Sequence, residues 1–117
     1  MSWKIDARIP VTIVEEPPEL AGAVALLAEE RLPEGVGPPT LCAIFRADEL
    51  LAHPSGCACC YEMGAAAAAL AALFRERAVG GSWFSSVVAL VRSPAGRAEL
   101  EDALARDVLT VARFRRA

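Results

Sequence analysis

Cys57, Cys59 and Cys60 fall within four positions of one another, directly after Ser55-Gly56, and His53 is the only histidine in the chain. Thiolates are soft ligands suited to Zn²⁺ or Cu(I), and a Cys-x-Cys-Cys run ahead of a helix can aim two or three sulfurs at one point. His53 adds a nitrogen that would complete a tetrahedral zinc set. The helix expected to follow from about Tyr61 lowers a thiol pKa at its N-terminus and so favours the metal-binding form. The expected site is therefore Cys57, Cys59, Cys60 and His53, with zinc or another soft metal as cofactor. Cys57 and Cys60 also have Cys-x-x-Cys spacing, so thiol redox chemistry is the alternative use of the same sulfurs. A third reading is an inherited motif that holds no metal.

The other reactive side chains read more plainly. Cys42 sits in an apolar run and is expected as a buried core thiol. Trp3 and Trp83 are expected to pack, Asp48 and Glu49 to form a solvated face, and Tyr61 and Glu62 to begin a helix. No Cys–His–Asp arrangement stands out, so no catalytic residue is assigned.

The elements that must position the cysteines follow from hydrophobic pattern. Ile9 to Val14 is a β-branched run that reads as a strand, ended by Glu15-Glu16-Pro17-Pro18. A helix is expected next, with Leu20, Val24 and Leu27 on one face and Glu29, Glu30 and Arg31 near its end. Pro33 to Pro39 is a loop by composition, and Thr40 to Phe45 a second strand. A long helix from Tyr61 to Ala78 contains five consecutive alanines, Ala65 to Ala69, and stops at Gly80-Gly81. Phe84 to Val91 is a third strand, continuously apolar and expected to be buried on both faces. Ser93-Pro94-Ala95-Gly96 opens a last helix, with Leu100, Ala103, Leu104, Val108, Val111 and Phe114 on one face. Val108 to Phe114 is also rich in strand formers, which leaves helix and strand both open there. Alternating strands and helices imply a single α/β domain over residues 1–117, with a mainly parallel sheet.

Composition bounds the partners. The chain is 55% hydrophobic with net charge −3, enough to build a core and unsuited to nucleic acid, which needs a basic footprint. Arg113, Arg115 and Arg116 make too short a basic tail to change that. No apolar run approaches the roughly 20 residues of a membrane span. Met1 to Asp6 lacks a charged-then-apolar signal pattern, so a cytoplasmic location is expected. Clustered cysteines in a reducing compartment point to metal or redox chemistry rather than a disulfide framework.

Several of these features, in order, resemble the CobW family of P-loop GTPases linked to metal delivery. Ile9-Pro10-Val11-Thr12-Ile13-Val14 is similar to the strand that leads into that family's phosphate loop. Gly56-Cys57-Ala58-Cys59-Cys60 matches its Gly-Cys-x-Cys-Cys signature. Phe84 to Val88 stands where its Walker B-like strand runs, and Leu104, Asp107, Arg113, Phe114 and Arg115 are similar to a segment before the next strand. The resemblance spans nearly the whole chain and implies a small three-layer α/β/α domain of P-loop-NTPase-like (Rossmann-like) topology, with three or four strands, the first (Ile9–Val14) and third (Phe84–Val91) central and adjacent.

It also implies what is missing. A phosphate loop needs converging backbone N–H groups, a lysine, and a hydroxyl for Mg²⁺. The aligned stretch, Glu15 to Val24, has no lysine or hydroxyl, and Pro17 and Pro18 remove two N–H donors. Glu15, Glu16 and Glu19 place like charge where phosphates would sit, although glutamates also suit a helix N-terminus. Like charges about 4 Å apart repel by about 1 kcal/mol even in water. After the third strand, Leu90-Val91-Arg92-Ser93 offers no acid to position Mg²⁺ or water. The expectation is a non-enzymatic domain without nucleotide that handles metal. Its expected partners are a CobW-type GTPase or a metal-recipient protein, with a homodimer through an exposed sheet edge as a further option.

Overall fold

In the computed structural model, residues 7–17, 19–20, 22–33, 41–47, 50–51, 63–80 and 83–117 are described. Strands β1 (Ile9–Val14), β2 (Val24–Glu29) and β3 (Leu41–Phe45) are followed by two short strands, β4 (Leu50–Leu51) and β5 (Met63–Gly64). Helix α1 (Ala65–Ala78), strand β6 (Ser86–Leu90), helices α2 (Pro94–Arg106) and α3 (Val108–Arg113), and strand β7 (Phe114–Arg116) complete the order. Five strands form one sheet in the order β3-β2-β6-β1-β7, every neighbouring pair parallel. The α/β class and the parallel sheet are as the sequence implies, with five strands in place of three or four. β1 and β6 are adjacent and internal, with Val11 opposite Val87 and Val14 opposite Leu90.

Register sorts the side chains onto two faces. Leu41, Ala25, Val87 and Val11 form one cross-strand row, and Ala43, Leu27, Ala89 and Ile13 the next. These rows join Leu70 and Leu73 of α1 and Leu100 and Ala103 of α2 in one core cluster. The three helices touch one another, so they form a single layer over that face. Small side chains at Ala66, Ala67 and Ala69, all buried, let α1 approach the sheet closely. On the opposite face Leu26, Ala28 and Leu90 are buried near the middle, whereas Thr12, Cys42 and Ile44 are exposed.

Three local expectations are corrected. The segment expected as the first helix is β2. Val24 to Ala28 has helical propensity, but Leu26, Leu27 and Ala28 are consecutive and all buried. A strand buried on both faces satisfies that pattern, and a helix with one apolar stripe does not. Gly22, at φ +78°, turns the chain into it. The resemblance implies helices on both faces of the sheet; among the described residues the three helices share one face.

The single helical face from Leu100 to Phe114 is broken at Asp107, which is extended (φ −70°, ψ 120°) and caps α3. Its Oδ2 accepts from the Thr110 amide at 3.0 Å and from Thr110 Oγ1 at 2.8 Å. Val108 is thereby 75% exposed, and residues 108–114 resolve into a short helix followed by a strand that begins at Phe114. The long helix expected from Tyr61 begins at Ala65, because Met63 and Gly64 are paired as a strand with Leu51 and Leu50.

Candidate functional site

His53, Cys57, Cys59 and Cys60 lie outside the described residues. The structure does place both ends of the segment that carries them. Leu51 pairs antiparallel with Met63, and Leu50 with Gly64, so the residues on either side of positions 52–62 meet in one short ladder. Gly64 is then the N-cap of α1. The helix N-terminus expected to help ionise the cysteines is already served by a carboxylate, since Glu99 Oε1 of α2 accepts from the Ala65 amide at 2.9 Å. Beside this junction, Gly64, Ala67, Glu99, Asp102, Arg106 and Asp107 line part of a cavity of about 310 Å³ between the helices. Among the described residues, no group of three or more His, Cys, Asp or Glu side chains is placed to hold a metal ion.

Cys42 is exposed, where a buried core thiol was expected. It alternates with Leu41, Ala43 and Phe45 on β3 and so faces away from the helices, on an outer strand. Trp83 is also 65% exposed and packs through its ring face against the Arg77 guanidinium, 3.7 Å from the ring centroid. Trp3, Asp48, Glu49, Tyr61 and Glu62 lie outside the described residues.

The most developed polar arrangement is one that the sequence pattern missed. It lies at the carboxyl ends of β2 and β6. Glu29 continues the row of Ala25 and Leu27 toward the helix layer and is 2% exposed. Its Oε1 accepts from the Arg92 amide at 2.7 Å and the Ser93 amide at 3.0 Å, while its Oε2 accepts from Ser93 Oγ at 2.6 Å. Ser93 Oγ in turn accepts from the Gly96 amide at 3.0 Å, making Ser93 the N-cap of α2 with Pro94 behind it. Arg92 closes the arrangement from outside, donating from Nε to the Glu29 carbonyl at 3.0 Å and from Nη2 to the Arg31 carbonyl at 3.2 Å. Glu30 follows at φ +68° and donates its amide to the Phe45 carbonyl, which turns the chain off the sheet.

Chemically this is an anion held at a helix N-terminus, with the anion supplied by the protein itself. At the outer rim Arg97 contacts Glu15 Oε1 at 3.2 Å and Glu101 Oε1 at 3.0 Å, and Glu101 reaches Arg116 at 3.2 Å. These pairs are solvent-exposed and each contributes about 0–1 kcal/mol. The signal that pointed here was the N-cap pattern Ser93-Pro94-x-Gly96. Its buried partner is hidden in the sequence because Glu29 reads as the end of a helix, whereas it ends the buried strand β2.

None of the described residues from 15 to 23 is helical, and the connection leads from β1 past β6 into the parallel strand β2. No protein-family model matches the chain, and no curated protein or solved structure matches it. No helix among the described residues is long and apolar enough to cross a membrane.

Proposed function

We propose that this chain is a non-catalytic, CobW-related α/β domain that handles a soft metal, zinc first, through Cys57, Cys59 and Cys60 with His53 as a fourth donor. The observation that supports it most is the β4–β5 ladder: every one of these donors belongs to the segment whose two ends meet at Leu51 and Met63. Ends that are already joined lower the chain entropy that a metal must offset when it gathers its ligands. The reading needs reduced thiols and hence a reducing compartment, the cytoplasm.

The same reading holds that the domain uses no nucleotide. Residues 15–23 supply no lysine or hydroxyl, their described residues are not helical, and the Arg92 and Ser93 amides just ahead of α2 are taken by Glu29. A metal-recipient protein or a CobW-type GTPase is the partner this chemistry fits. Zn²⁺ affinity measured by competition with a chromophoric chelator tests the reading. The wild type should bind far more tightly than a variant carrying Cys57→Ser, Cys59→Ser and Cys60→Ser, and equal affinities would end the metal reading.

One observation favours a second reading, that of an interaction module. The outer edge of β3 has no strand partner among the described residues, and Leu41 to Phe45 contains no charge and no proline. Such an edge can take another strand, from a second copy or from a CobW-type GTPase. Ile44→Lys, at an exposed position, should abolish any dimer seen by light scattering while leaving the circular dichroism spectrum intact. A wild type that stays monomeric at high concentration would remove the homodimer.

A further inference from the structure

We draw no further inference here: the strongest candidate, the cleft at the N-terminus of α2 lined by Glu15, Arg92, Ser93 and Arg97, carries nothing, because Glu29 takes the Arg92 and Ser93 amides, Glu15 and Glu101 take the Arg97 guanidinium, and no second observation among the described residues points to a ligand.

Discussion

Gly96, in the first turn of α2, lies directly against the carboxylate of Glu29, and a Cβ at that position would overlap it. At an open helical position the exchange of glycine for alanine stabilises a helix by about 1 kcal/mol. Here the carboxylate cannot retreat without giving up its bonds to Arg92 and Ser93. Gly96→Ala should therefore destabilise the domain by about 1–3 kcal/mol, the cost of overpacking a filled site. Urea denaturation measures it. A stability equal to or above wild type would show that the carboxylate is not fixed where the structure places it.

The same contact predicts an ordered series at Glu29. Glu29→Ala leaves the part-buried Arg92 and Ser93 amides without their acceptor, a loss of about 1–3 kcal/mol, the range for unsatisfied buried donors. Glu29→Gln keeps a carbonyl oxygen for those amides and loses only the charge and one acceptor, so it should cost about half as much. On the Glu29→Ala background Gly96→Ala should lose most of its penalty, because the overlapping group is gone. A double-mutant cycle reads that coupling, and strict additivity would mean that the two sites do not touch.

Much of this fold was legible because its strands carry period and composition together. Ile9 to Val14 is rich in β-branched residues, Val87 to Val91 is continuously apolar, and the two strands take the central, adjacent places expected of them. Val24 to Glu29 was not legible. Its leucines and alanines favour a helix locally, and only its burial between β3 and β6 makes a strand the better choice. Glu29 was lost with it, since an acid at the end of an exposed helix needs no partner and one at the end of a buried strand does. Cys42 misled for a related reason: an apolar run does not say which strand will lie at the edge with one face open. The cysteine cluster is a proposal from spacing alone, since Cys57, Cys59 and Cys60 lie outside the described residues and only the flanking Leu51 and Met63 are placed.

For nucleotides the expected outcome is no binding. Isothermal calorimetry with GTP or ATP and Mg²⁺ should show no heat beyond dilution. The stretch from Glu15 to Val24 carries carboxylates instead of a lysine and a hydroxyl, none of its described residues is helical, and it leads into β2. Affinity in the micromolar range would overturn the non-nucleotide reading and leave the metal reading to stand separately.

Thiol counting separates metal binding from disulfide chemistry, and the exposure of Cys42 makes the count clean. The chain has four cysteines, and Cys42 is open to reagent on β3. Fully reduced, metal-free protein should titrate all four thiols with a chromogenic disulfide reagent. If Cys57, Cys59 and Cys60 ligate Zn²⁺ as thiolates, one equivalent of the metal should protect three and leave Cys42 reacting alone. A disulfide between Cys57 and Cys60 gives a different number: Cys42 and Cys59 remain reactive whether or not zinc is present. Adjacent Cys59 and Cys60 are poorly placed to bond each other, since the ring they would close departs from ordinary disulfide geometry. Cys42→Ser fixes the assignment, because the zinc-loaded variant should then show no fast-reacting thiol. A count that zinc leaves unchanged, in protein shown to be fully reduced, would exclude these sulfurs as a metal site.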